Sequence, residues 1–421
     1  MPLLRAFRSG GMAMLQSEMV DAVARVAVDV GIRARKDDLV VIDGTVIHRD
    51  LMLAMARECW KRGARYVYLR YGDDLAFRDR VSQMPLEWID GTPGAIDSLW
   101  SSFAKEGWLR LAIYGDEDPA FLEDVEPERL KRASAASHRA LQPAMEAAFS
   151  FTIPWNMVTC PTDAWARLVF GRPDAKGADL WPLLLDAMRI DAQGSEGPLA
   201  HYDSLAERAR KLNGLAFDTL RFTAPGTDLA VGLSTRSRWM GGTITTPDGR
   251  RFVPNIPTEE VFTTPDFRRT EGRVRCSRPV MILDVPVEGA WLEFRKGEVV
   301  ASGASKGAGI LERFLAMEKG SRRLGEVALV DCSSPVWRSG RFFRNILLDE
   351  NAGCHIALGS GIPKSFEGAD AMDKEEREAA GFNDSFEHDD LTFGSDELDV
   401  DAMDATGRSY PLMRSGHFTE P

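Results

Sequence analysis

Segments of helical period alternate with short apolar segments of strand character over the first half of the chain, and this alternation constrains the fold most. MVDAVARVAVDVGIRA has the spacing of a helix, and DDLVVIDG, which follows it, reads as a strand ending in glycine. LMLAMARECWKRGA is again helical and closes on Gly63, a residue suited to a helix C-cap. RYVYLRY and WLRLAIYG are β-branched and aromatic strands, and ERLKRASAASHRALQPAMEAAF is a long helix. Strands separated by helices of this length pair in parallel through helical crossovers. Residues 1–220 are therefore expected to form an α/β N-terminal domain.

The rhythm changes at LNGLAFDTLRFTAPGTDLAVGL. From there to about residue 300 the chain is rich in strands and broken by turns such as APGTD, TPDGR and RKGE. EFRKGEVVASG reads as a hairpin, ILERFLAMEKGS as a helix, and KSFEGADAMDKEEREAAG as an exposed loop with a short helix. Residues 221–421 are expected to form an α+β, strand-rich C-terminal domain.

Several function classes fall away early. Acidic residues outnumber Lys plus Arg by 64 to 52, which disfavours a nucleic-acid partner held through phosphates. The five cysteines are scattered and form no C-x-x-C pair, so reduced buried thiols are expected rather than disulfides or a thiolate zinc site. MPLLRAFRSGGMAMLQSEMV lacks the apolar run of a signal peptide, and no window approaches the ~18 apolar residues of a membrane span. A cytoplasmic protein without a membrane partner is the expectation. There is no Walker loop, no H-E-x-x-H helix and no G-x-G-x-x-G opening a helix. GASKG at 303–307 fits the G-x-S-x-G pattern, but such short matches arise easily by chance, and Ser305 is not expected to be a nucleophile.

What remains is a set of carboxylates and histidines in the second half. Four of the six histidines, His48, His138, His201 and His417, read as surface or capping residues. His355 closes DENAGCHIALG, shortly after Asp349 and Glu350, and His388 lies among Glu387, Asp389 and Asp390. Residues two apart in an extended segment share a face, so His388 and Asp390 can address one cation. Glu326 in LGEVALVD and Glu260 in NIPTEEVFTTP sit in apolar strand contexts, where a carboxylate is costly unless paired or bound to metal. Mixed Glu, Asp and His donors without thiolate suit Zn, Mn, Co or Fe(II). For any single acid, a salt bridge to one of the many arginines is the plainer reading.

Together the blocks NIPTEEVFTTPD, GEVALV, DENAGCHIALG and H-x-D before a Gly-Ser pair resemble the thermophilic-type metallo-aminopeptidases, the aminopeptidase T and aminopeptidase S family. That resemblance covers most of the chain and is densest over residues 226–395. It implies an α/β N-terminal domain, a metal-binding C-terminal domain, a homodimer and one or two divalent cations (Mn, Zn or Co). It implies Glu260, Glu326, His355, His388 and Asp390 as ligands and Glu350 as a further one. Glu260 and Glu350 are the implied catalytic carboxylates, Glu326 the bridge between cations, and Glu259 the lesser of its pair. The implied mechanism is two-metal hydrolysis, with a carboxylate passing a proton to the leaving amine.

Three departures from the family pattern fall near this site. A tyrosine is expected seven residues after the block's histidine, where Ile362 stands and would contact substrate. Asp389-Asp390-Leu391-Thr392 replaces Val-Asp-Phe-Met, and Gly416-His417-Phe418 lacks a usual tryptophan. Losing an oxyanion donor can cost roughly a hundredfold in rate. The departures look like those expected of 5-nitroanthranilate aminohydrolase, whose scaffold this one also resembles. On them, hydrolytic deamination of a small aromatic amine, releasing ammonia, is the expected reaction, and release of N-terminal residues from short peptides is the alternative. Ring-opening oxygenase chemistry and a silent binding module fit the retained carboxylate blocks less well. Arg236, Arg238 and Arg338 are candidates to hold a substrate carboxylate, although surface charge is the plainer reading of each.

Overall fold

The computed structural model describes residues 16–118, 121–122, 124–190 and 196–419. The stretch read above for a leader therefore lies, through residue 15, outside the described residues. The chain forms two compact units, one from the described residues up to Leu199 with Thr245–Ile256, the other from Ala200–Ile244 and residues from Pro257 onward. The division thus falls inside the helix Glu196–Leu215 rather than at residue 220. The excursion Thr245–Ile256 joins the first unit through main-chain bonds. Met157 N donates to Pro254 O at 2.7 Å and Ile256 N to Met157 O at 3.0 Å.

In the first unit, β1 (Leu39–Thr45), β2 (Tyr66–Gly72), β3 (Leu109–Tyr114) and β4 (Trp155–Thr159) form a sheet in the order β2-β1-β3-β4. Every pairing is parallel, as the alternating pattern requires. Val40, Val41 and Ile42 of the inner strand β1 are buried, because helices cover a parallel sheet on both faces. The helix Arg49–Lys61 buries Leu51, Met52, Met55, Ala56 and Cys59, a single stripe at helical spacing. Asp43 puts a carboxylate inside this sheet, where Arg70 and Arg110 both pair with it.

His48 is also buried, at 2 % exposure, with Nδ1 facing Thr45 N at 3.2 Å. It caps the end of β1 as read from the sequence, but it is no surface residue. Burial lowers its pKa from 6.5 to about 4. Protons then bind the unfolded chain preferentially below pH 6.5, so this stabilisation is complete above that pH and lost as pH falls toward 4. Between pH 7 and pH 5 the first unit is expected to lose about 2 kcal/mol from this ring alone. Urea unfolding of wild type and His48→Gln at both pH values measures it; equal pH dependence in the two proteins would refute it.

The second unit is built from antiparallel strands, as the change of rhythm anticipates. Its larger sheet has eight strands, and a second sheet has four. The expected hairpin is Trp291–Arg295 against Glu298–Gly303, turning on Lys296 (φ 51°) and Gly297 (φ 78°). A side chain at Gly297 would meet Phe267 O at 1.8 Å, so this turn admits only glycine at its second position. The expected helix forms over Ala308–Met317 and the short helix over Lys374–Ala380. The polar stretch before that short helix is not wholly exposed, since Phe366 and Ala369 pack with Phe382. All five cysteines are free thiols. Among the described residues no helix is long and apolar enough to cross a membrane.

Candidate metal centre

The four-stranded sheet orders its strands as His388–Thr392, His355–Gly359, Leu324–Val330 and Glu260–Thr263, all antiparallel. Its register decides which side chains share a face. Glu326 lies opposite Ala357, which lies opposite Asp390. His355 lies opposite Ala328, His388 opposite Gly359, and Glu260 opposite Val330. Since facing residues point the same way and alternate residues share a side, all five groups project from one face. Ala357 stands between Glu326 and Asp390, and its small side chain leaves space between the two acids.

The side chains converge in two groups. Glu260, Glu326 and His355 form one, and Glu326, His388 and Asp390 the other, with Glu326 common to both. His355 Nε2 lies 3.1 Å from Glu260 Oε2 and 3.9 Å from Glu326 Oε1. His388 Nε2 lies 3.2 Å from Glu326 Oε2 and 3.7 Å from Asp390 Oδ1. Each imidazole places its other nitrogen against a main-chain carbonyl: His355 Nδ1 on Gly353 O at 3.2 Å and His388 Nδ1 on Ser360 O at 2.8 Å. A carbonyl only accepts, so Nδ1 carries the proton and donates. Nε2 is thereby aimed at the carboxylates, where a cation displacing its proton would find the lone pair.

The electrostatics ask for positive charge. Burial raises the Glu326 pKa, and Glu260 and Asp390 add to that rise against the contact with His388. Burial, then the charges of Glu260 and Asp390, push Glu350 well above the ordinary carboxylate value. Burial works against a charged ring at both histidines, yet the acids prevail. Glu260, Asp390 and Glu326 hold His355 well above 6.5, and Glu326 with Asp390 brings His388 to about 10. Glu260 Oε2 and Asp390 Oδ1 are buried without an aligned hydrogen-bond donor. Buried acids with unsatisfied oxygens, beside two oriented imidazoles, fit divalent cations. With no thiolate in reach, the donors suit Zn, Mn or Co.

All five ligand residues expected from the sequence are brought together. Glu350 lies in neither group but within electrostatic reach of Glu260, Asp390, His355 and Glu326. Glu259 is turned elsewhere: its Oε1 lies 3.3 Å from His201 Nε2, and its N–H donates to Asn351 Oδ1 at 2.7 Å. His201, read as a surface or capping residue, is thus the partner of a buried acid. Sequence spacing gave no signal, because 58 residues separate the two. Asp389 points to the opposite face of its strand, accepts Leu283 N at 3.0 Å and belongs to neither ligand group, and burial with the charge of Asp390 raises its pKa to about 6. His417 pairs with Asp331 at 3.0 Å. Ile362 is half-buried, two residues past the Ser360 carbonyl that holds His388, and its N–H donates to Thr264 Oγ1 at 2.8 Å. Arg238 pairs with Glu367, and Arg236 donates to the Glu367 carbonyl at 3.1 Å, so both are engaged within the protein surface.

Ser305 is exposed, and its hydroxyl donates to Glu288 O at 2.8 Å. Ser305→Ala is expected to leave kcat/KM within about twofold, as for a surface substitution. A dead variant would restore the serine-nucleophile reading.

Comparison with known proteins points the same way. The profile of the thermophilic metalloprotease (M29) family matches residues 16–418. The chain is 37 % identical to aminopeptidase T of Thermus aquaticus over 408 residues, spanning 96 % of this chain and 98 % of that protein. It is 34 % identical to aminopeptidase 2 of Geobacillus stearothermophilus over 405 residues, spanning 95 % and 97 %. The solved structure of wild-type AmpT from Thermus thermophilus superposes with a TM-score of 0.88 at 36 % identity, covering 96 % of this chain and 100 % of that one.

Proposed function

This chain belongs to the thermophilic metalloprotease (M29) family and is a metal-dependent hydrolase, and from that premise we propose that it acts as an aminopeptidase, releasing N-terminal residues from peptides. The observation that carries the reading is the sharing of Glu326 between two ligand groups on one sheet face. The relatives described above are named as aminopeptidases, which favours the peptidase alternative over the ring deamination expected from the sequence departures. Two of those departures also lose their weight, since Asp389 and His417 engage groups outside the ligand cluster.

In this reading Glu260, Glu326 and His355 hold one cation, and Glu326, His388 and Asp390 hold the second. Bound there, the cations would polarise the scissile carbonyl and make water a nucleophile at neutral pH. Glu350, close to these acids but in neither group, is free to take the proton of the attacking water and give it to the leaving amine. Glu260 combines ligation with support of that proton movement, as its charge acts directly on Glu350. Ile362 offers substrate an apolar contact where a phenol would offer a donor. The family resemblance further suggests a homodimer, which sedimentation would check.

The test is a parallel assay of Mn- or Zn-loaded protein on Leu-p-nitroanilide and on a nitro-substituted anthranilate. Release of p-nitroaniline without ammonia from the anthranilate supports the aminopeptidase. Ammonia release with no peptide-bond cleavage would overturn it in favour of deamination.

A further inference from the structure

Asn351 is fully buried, immediately follows Glu350, and takes no place among the proposed ligands. Its carboxamide spans two segments 92 residues apart in sequence, each carrying an acid of the site. Oδ1 accepts the Glu259 N–H at 2.7 Å, fixing the main chain one residue before Glu260. Nδ2 donates to Leu347 O at 2.9 Å and lies 3.4 Å from Glu350 Oε1 and 3.5 Å from Pro257 O. The residue is itself pinned, because Ser334 Oγ donates to its carbonyl at 2.6 Å. One residue before Glu350, the Asp349 carbonyl accepts Thr392 Oγ1, from the strand of His388 and Asp390, at 3.4 Å. The Glu350 segment is therefore tied to two ligand strands, and the tie to Glu260 runs through this one amide.

We propose that Asn351 is a positioning residue for the metal centre, setting Glu260 and Glu350 in place by bridging their segments; the proposal rests on the metal-ligand reading above. Both ends of the amide are committed. Shortening the side chain frees the Glu259 N–H and removes the donor beside Glu350 Oε1 together, which loosens Glu260 toward His355. Glu326, His388 and Asp390 are not touched by the change. The loss should thus be confined to the cation held by Glu260 and His355, while the one at His388 and Asp390 keeps its affinity. Groups that orient ligands in this way typically account for roughly ten- to hundredfold in metal affinity.

The experiment uses Zn2+ or Mn2+ itself as the probe, titrated calorimetrically into metal-free full-length protein, so no substrate enters the measurement. Asn351→Ala is expected to weaken one of two binding phases by roughly ten- to hundredfold and leave the other unchanged. Asn156→Ala serves as the control for simple destabilisation, since Asn156 is equally buried and its amide donates to Val253 O at 2.8 Å in the first unit. If Asn351→Ala does not fold, Asn351→Leu decides on the same readout, because it keeps the side-chain volume but removes both the acceptor for Glu259 N and the donor beside Glu350 Oε1. Wild-type affinity in both phases, or a loss matched by Asn156→Ala, would overturn the positioning role while leaving the aminopeptidase reading intact. Absence of any binding by the wild type would instead remove the metal-centre reading on which it rests.

Discussion

Replacing Glu326 by Gln is expected to lower kcat/KM on a peptide substrate by on the order of a thousandfold or more, with loss of metal in the same preparation. No other single side chain should do as much damage. Glu326 is the one residue common to both ligand groups, lying 3.9 Å from His355 Nε2 and 3.2 Å from His388 Nε2. An amide presents one neutral oxygen where the carboxylate presents two charged ones, so at most one half of the site keeps an oxygen from this position. The fold should survive, because Glu326 is a buried acid in a strand that is otherwise apolar and buried throughout. Burial already raises its pKa, so a neutral isostere relieves strain that the ligand-free protein carries. Kinetics, metal analysis and a melting curve on one sample check all three parts. A variant that loses activity while keeping two tightly held cations would refute the shared-ligand role.

Chelating the cations should abolish activity and also lower thermal stability, by on the order of 10 °C in midpoint. The estimate follows from mass action. Metal at a thousandfold above its dissociation constant stabilises the folded form by about 4 kcal/mol, and a domain of this size shifts by roughly 2–4 °C per kcal/mol. The structural reason is the cluster itself. Glu260, Glu326, Glu350 and Asp390 lie within each other's electrostatic reach, with two imidazoles as their cationic partners. Without cations the imidazoles must keep protons to offset the acids, and two buried oxygens, Glu260 Oε2 and Asp390 Oδ1, remain without an aligned donor. Scanning calorimetry before and after chelation, then after adding metal back, measures the effect and its reversibility. An unchanged midpoint in protein shown to be metal-free would contradict the assignment.

The parts of this molecule legible in its sequence are those governed by short-range periodicity. The run LVVI is apolar on both faces and becomes one of the two inner strands of the parallel sheet. His388 and Asp390 are two apart in a strand, which alone places them on one side. Glu326 is an acid in an unbroken apolar run, and its cost when buried marks it as functional. What sequence could not supply is long-range pairing. Nothing near Glu259 and Glu260 tells which of them faces the ligands; His201 and Asn351 decide it from distant segments. Likewise, the extra acid at Asp389 looks like a change to the site until the strand pairing turns it toward Leu283. The return of Thr245–Ile256 to the first unit rests on main-chain bonds to Met157 that no local pattern announces.

The most direct measurement is the anomalous scattering of crystals grown with Zn2+ or Mn2+. Two anomalous peaks are expected on one face of the four-stranded sheet, one beside Glu260 and His355, the other beside His388 and Asp390, with Glu326 reaching both. Peaks elsewhere, or a single peak that Glu326 does not touch, would contradict that expectation.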